Sequence, residues 1–246
     1  MPVLAKDASR RLDPVKIVDS ALRVADTEGL DAVTIRRLAQ LHEVTPMALY
    51  RHFADKGDLL NAIADRLLAD VDLPAATGDR WDRQLHGVLT AFVTALRPHP
   101  ATAGLTLPRI LVAEPGLAMA ERTMELLTEG GFEPDHAAEV GRQSLCSLVT
   151  LVTTQPGAGE DPEPEAREQA LRTKRATLAM LDPKRYPLIT GAADVLVCPT
   201  STDRYYALGI ELVVAGIRGV LQDPETPGSK AARSASIRSR PTAPTG

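Results

Sequence analysis

The stretch that most restricts this chain is Thr34 to Lys56, TIRRLAQLHEVTPMALYRHFADK, which reads as two short helices joined by a tight turn. Thr34 carries a hydroxyl suited to cap the first helix. Ile35, Leu38 and Ala39 recur at helical spacing, which leaves Arg36, Arg37 and Gln40 toward solvent. Leu41, His42 and Glu43 make the turn. The second helix opens with Thr45 as cap and Pro46 in the first turn, where a missing N–H costs nothing. Leu49 and Phe53 stand four apart and pack inward, so Met47, Ala48, Tyr50, Arg51 and His52 face outward or rim the core.

That layout suits double-stranded DNA, because a helix presented by its N-terminal end fits the major groove and its first residues reach base edges. The spacing assigns Thr45, Met47 and Ala48 to base edges, with Pro46 opening the helix between them, and Arg36 to a base or groove contact. Tyr50, His52 and Lys56 are types that hold phosphates, and Arg51 suits either task. An ordinary amphipathic hairpin on a protein surface would show the same spacing.

The residues carry more than spacing. Ile17 to Glu28 (IVDSALRVADTE), Gly29-Leu30, Thr34 to Gln40 (TIRRLAQ), Val44 to Phe53 (VTPMALYRHF), and Lys56 followed by Leu59-Leu60 together resemble the N-terminal domain of the TetR family of transcriptional regulators. The resemblance is specific over about the first 70 residues. Two positions depart from it: Glu43 stands where the family turn has Gly, and His42 where it has a buried Leu. Glycine tolerates a left-handed backbone and glutamate does so only at a cost, so the turn is expected to be slightly altered.

Composition narrows the rest. An Ala- and Leu-rich chain of 246 residues with 3% aromatics points to an all-α protein; the resemblance implies a three-helix helix-turn-helix domain followed by a helical ligand-binding and dimerisation domain. A net charge of −4 argues against general coating of nucleic acid, and leaves room for local basic contacts to a specific site. Cys146 and Cys198 lie far apart with no CxxC partner, which predicts two small buried thiols and no disulfide or zinc site. The N-terminus has no signal core. The segment nearest to a membrane helix, Leu208 to Leu221, is broken by Glu211 and Arg218. A cytoplasmic protein without metal or cofactor is expected.

Residues 1–11 read as a flexible arm bearing Lys6, Arg10 and Arg11, and 12–73 as the DNA-binding domain. Its first helix starts at the cap Asp13 with Pro14 behind it, turns Val15, Val18, Leu22 and Ala25 inward, and stops at Gly29. A helix over 55–72 buries Leu59, Leu60, Ile63 and Leu67, and Pro74 to Asp79 is a turn-rich break. The second domain, 80–222, is helical throughout. Trp81 to Arg97 points Leu85, Val88, Leu89, Phe92 and Leu96 to one side. A shorter segment covers about Ala101 to Val112. Pro115 to Glu129 turns Leu117, Ala120, Met124 and Leu127 inward, ahead of Gly130-Gly131. Pro134 to Thr154 follows, then an acidic loop at Gln155 to Glu165, a helix to Leu181 and a last helix from Asp203 to Leu221. That last helix is apolar on too wide a face to pack on one side only. With 137–154 it resembles the helix pair through which the family forms dimers. The tail 223–246 reads as disordered.

The resemblance extends to the order of segments from Trp81 onward, which looks like the tetracycline-repressor type of C-terminal domain. It implies a homodimer on a palindromic operator and a small-molecule cavity lined by Trp81, Val88, Phe92, Thr106, Arg109, Met119 and Met124. Those side chains suit a largely apolar effector. A Mg²⁺–tetracycline chelate is not expected. The Asn and two His that hold it in those repressors are replaced here by Val88, Thr106 and a residue near Asp72. His86 and His99 have no second ligand at metal spacing and read as surface or pocket-rim residues. No nucleophile elbow, HExxH, phosphate loop or dinucleotide fingerprint is present, so an enzyme is disfavoured and no catalytic residue is assigned. A dimer whose second domain binds a protein instead of a small molecule remains the alternative.

Overall fold

In a computed structural model, residues 13–155, 164–198 and 201–222 are described; the expected arm, most of the acidic loop and the tail lie outside them. Every regular element among the described residues is a helix. Helix α1 (Pro14–Glu28) begins where Asp13 accepts a hydrogen bond from the Val15 amide at 3.0 Å, and ends at Gly29 with φ 86°. Its buried stripe is Ile17, Ala21 and Val24 flanked by Val18, Leu22 and Ala25. Val15, expected inward, is 56% exposed, because it sits at the far edge of that stripe in the first turn, past the end of the core.

A 3₁₀ turn at Leu30–Ala32 leads to α2 (Ile35–Leu41), capped by the Thr34 hydroxyl accepting from the Arg37 amide at 3.1 Å. Such a cap contributes about 1 kcal/mol. Helix α3 (Pro46–Tyr50) and helix α4 (Lys56–Ala69) complete the N-terminal group, and Asp55 caps α4 through the Asp58 amide. Leu59, Ile63 and Leu67 are wholly buried and Leu60 half so. The segment 70–80 has no regular structure.

Helix α5 (Trp81–Leu96) is the axle of the body, packed against all three of its longest neighbours: α7 (Glu114–Gly130), α8 (Pro134–Thr153) and α12 (Thr202–Gln222). Its Leu85, Leu89, Phe92 and Leu96 have no exposed surface, each burial being worth about 1.5–3 kcal/mol. Between α5 and α7 the chain makes the short α6 (Pro100–Ala103) and a 3₁₀ turn, Gly104–Arg109. One continuous core joins α1 to α12.

Helix α7 is rotated relative to the sequence expectation. Leu117 is exposed, and Gly116, Met119, Thr123, Leu126 and Leu127 are buried. Gly116 fixes this phase: a Cβ there would lie 2.5 Å from the Ile110 carbonyl oxygen, so only glycine lets the helix press on that turn. Gly131 ends α7 in a left-handed conformation, its amide reaching the Leu127 and Thr128 carbonyls.

Helices α9 (Pro164–Ala179), α10 (Pro187–Gly191) and α11 (Ala193–Val197) pack chiefly on one another and leave Met180, Leu188, Val195 and Leu196 exposed. Helix α12 buries Tyr206, Ile210, Val214 and Ile217, while Leu208 and Leu212 on its other face are 55% and 64% exposed. The two cysteines, expected buried, are half-buried free thiols. No described helix is long and apolar enough to cross a membrane.

Candidate functional site

Helix α3 is short because its one-sided packing needs only one turn. Leu49 is completely buried, and Phe53, just beyond the helix, nearly so. With that side anchored, Thr45, Pro46, Met47, Tyr50, Arg51 and His52 are exposed and Ala48 is half-buried. Met47 and Tyr50 show 67% and 48% of their surface, unusual for side chains of that size without a partner to cover them. The Thr45 hydroxyl makes no capping bond, so it is available to a ligand. Lys56, at the first position of α4, and Arg36, on α2, are exposed as well.

Arg37 differs from its expected place in solvent. It is half-buried and bound to Glu28 of α1 at 2.7 Å, which raises its pKa further, so it braces the head. The turn between α2 and α3 keeps the left-handed conformation that glycine favours, with Glu43 at φ 54°. The Val44 amide still reaches the Ala39 carbonyl at 2.9 Å, so the substitution is absorbed as local strain and not as a changed path. His42 is half-buried with Nε2 lacking a hydrogen-bond partner, as befits a place shaped for an aliphatic side chain.

In the body, α7, α8 and the turn before α7 enclose a cavity of about 400 Å³. Its wall includes Leu107, Ile110, Thr123, Met124, Leu145 and Cys146. Of the seven residues proposed from sequence, Met124 is on this wall. Val88, Phe92, Thr106 and Met119 are buried in the core beside it, with the Thr106 hydroxyl donating to the Ala103 carbonyl at 2.7 Å. Trp81 packs edge-on against Phe132 and over Gly130. Arg109 turns away from the cavity and grips Asp65 of α4 through two hydrogen bonds, 2.7 and 2.8 Å, which raise the guanidinium pKa. Leu107, Ile110, Leu145 and Cys146 were not legible as wall residues: as apolar positions at helical spacing they look like any core residues.

The histidines are also placed by contacts distant in sequence. His99 Nδ1 lies 2.8 Å from the Asp26 carboxylate on α1, a partner that no local spacing reveals. Burial pushes the Asp26 carboxyl up, against the pull of His99. His86 borders a small polar recess with Arg80, Asp82 and Arg218. No group of three metal-ligating side chains occurs among the described residues.

Beside the apolar packing, two ionic contacts among the described residues tie head to body, His99 to Asp26 of α1 and Arg109 to Asp65 of α4, while within the head Arg66 of α4 reaches Asp19 of α1 at 2.9 Å. The 3₁₀ turn that carries Arg109 contributes Leu107 to the cavity wall. The cavity wall at Leu107 is thus two residues from the α4 contact made by Arg109.

Known proteins carry the same plan. Residues 17–63 match the family of bacterial regulatory proteins of the tetR type, and residues 73–221 match the tetracyclin repressor-like C-terminal domain. The chain is 29% identical over 117 residues to an HTH-type transcriptional regulator of Saccharopolyspora erythraea, spanning 48% of this chain and half the length of that protein. It is 28% identical over 222 residues to the HTH-type transcriptional repressor DrrR1 of Streptomyces coeruleorubidus, covering 83% of this chain and 79% of the other. The fold superposes on the Streptomyces coelicolor TetR family protein ActR, in its complex with actinorhodin, with TM-score 0.67 and 28% identity over 87% of this chain and all of the other. With the head and most of the body matched separately and in order, the chain belongs to the TetR family of DNA-binding transcriptional regulators.

Proposed function

We propose that the chain acts in the cytoplasm as a homodimer that occupies a palindromic operator and leaves it when a largely apolar small molecule enters the α7–α8 cavity. The functional halves are 12–73 and 80–222. Thr45, Met47 and Ala48 read base edges, with Pro46 setting the start of the helix, and Arg36 adds a base or groove contact. Tyr50, His52 and Lys56 hold phosphates, and Arg51 serves either role.

Dimerisation uses 137–154 and 203–221. Leu208 and Leu212 are exposed on α12 above Ala215, Gly216 and Gly219, small residues that admit a second helix closely. Two large leucines in a row on one face favour a covered surface over a solvated one.

The observation that carries the regulatory part is the shared turn: Leu107 lines the cavity and Arg109, two residues on, is bonded to Asp65 in α4. An occupant that displaces this wall shifts α4 and with it the spacing of the two heads. A Mg²⁺–tetracycline chelate is disfavoured as effector, since Val88 is buried with no ligating atom and the buried Thr106 hydroxyl, a poor replacement for imidazole, donates to the Ala103 carbonyl.

Selection of bound duplexes from a random library tests the DNA half. A palindromic winner bound by two chains, with steep salt dependence, is the expected result, and absence of any enriched sequence would count against it. Arg109→Gln tests the coupling. The variant is expected to keep operator affinity and effector affinity while the effector-driven drop in operator affinity shrinks by about five-fold or more. An unchanged drop would reject the Arg109 route. Full operator release with no cavity ligand, on addition of a protein partner alone, would favour the interaction-module reading.

A further inference from the structure

The charge on the cavity wall narrows the effector further, an argument that rests on this cavity being the effector site. Only Glu139 and Arg142 among the lining residues are charged, both on α8. No described residue hydrogen-bonds or ion-pairs with either, although they stand one turn apart on the same helix. The remaining wall offers little to a polar ligand. Thr123 commits its hydroxyl proton to the Met119 carbonyl at 2.8 Å and faces the cavity as an acceptor. Cys146 is a weak donor.

Strong donors on this wall therefore come from Arg142. It lies midway along the stretch of α8, residues 138–146, that borders the cavity, whereas Glu139 is near the N-terminal end of that stretch. A guanidinium at an apolar wall, with its donor fork uncommitted, matches two oxygens of a carboxylate, phosphate or sulfonate through two parallel hydrogen bonds. Arg142 is exposed as well as lining the cavity, so that pairing remains in contact with water.

We infer that the effector is an apolar molecule bearing one acidic group, and that Arg142 at the cavity wall pairs with that group. Glu139 disfavours a second anionic group and accepts from a hydroxyl on the ligand.

Two fluorescent probes with the same anilinonaphthalene body test this: 1-anilinonaphthalene-8-sulfonate, which carries an anion, and N-phenyl-1-naphthylamine, which does not. Both are titrated into the full chain, its Arg142→Gln, Glu139→Gln and Ala120→Trp variants, each checked by thermal melting to be folded. The sulfonate is expected to bind about ten-fold more tightly than the neutral probe, an advantage erased by Arg142→Gln and kept by Glu139→Gln. Ala120→Trp fills the cavity and is expected to abolish both. Equal binding of the two probes, or a sulfonate advantage that survives Arg142→Gln, overturns the acidic effector while leaving the cavity in place. Probe binding that Ala120→Trp leaves intact, or no binding of either probe, overturns the cavity reading itself and the inference with it.

Discussion

Helix α3 holds Met47 and Tyr50 out over a single buried leucine, whereas α7 and α8 leave a space between Thr123 and Leu145 that no side chain fills. The first site is made of what projects, the second of what is missing. A projecting site is specified over a few consecutive residues, because one helical turn decides which side chains point out. A cavity is specified by the mutual positions of segments many residues apart, and each of its wall residues is an ordinary apolar side chain. The contrast also sets how each site fails: the head through loss of one anchor, the cavity through a shift of its walls.

The sharpest break between the two is expected from Leu49→Ala. Removing the wholly buried anchor of α3 should cost about 2–5 kcal/mol and abolish operator binding, while the body still takes up cavity probes. Denaturant unfolding followed alongside probe fluorescence would detect this, and joint loss of both activities would mean that the head and cavity are not separable.

Gly116→Val starts from the cavity instead. Its Cβ would collide with the Ile110 backbone, 2.5 Å away at the carbonyl oxygen, and push the cavity turn outward. A stability loss of about 1–3 kcal/mol is expected from this overpacking, with probe binding lost and operator binding weakened as well, because the displaced turn carries Arg109 and its bonds to Asp65. Retained probe affinity would show that the turn yields without reshaping the wall.

Within the head, Arg36→Ala is expected to cost about 1–3 kcal/mol on the operator and to relax specificity at one base pair. Lys56→Ala should instead weaken all sequences alike and flatten the salt slope by about one unit. Fluorescence anisotropy on operator and scrambled duplexes at several salt concentrations separates the two roles. Equal losses on both duplexes for Arg36→Ala would reassign that residue to phosphate.

The smallest effect concerns the turn that joins the two helices. Glu43→Gly places a residue without a Cβ at φ 54° and should stabilise the chain by about 1 kcal/mol. That corresponds to a rise in Tm of about 2–4 °C for a chain of this size. A lower Tm would mean that the contacts of the Glu43 side chain outweigh the backbone strain.

Much of the head was legible because its determinants are local. The Thr34 hydroxyl reaches Arg37 three residues on, Pro46 fits a first turn, and Leu49 with Phe53 needs only helical spacing to be turned inward. Local rules misplaced Val15 and Leu117, both apolar residues at plausible spacing. Val15 sits where the core ends, and α7 takes its phase from the contact of Gly116 with Ile110, not from its leucines. Arg37 and His99 were misjudged for the same reason, since Glu28 and Asp26 lie on another helix.

By itself, then, the sequence determined most of the helices, the turn, which side chains of α3 project and the family, since each follows from residue types within a few positions of one another. Tertiary structure alone decided where the cavity lies, that Arg109 leaves it to hold Asp65, and that Arg142 remains uncommitted at its wall. Empty volume and unpaired charge are properties of how distant segments meet, and a one-dimensional pattern records which residues are present but not which of them fail to find a partner.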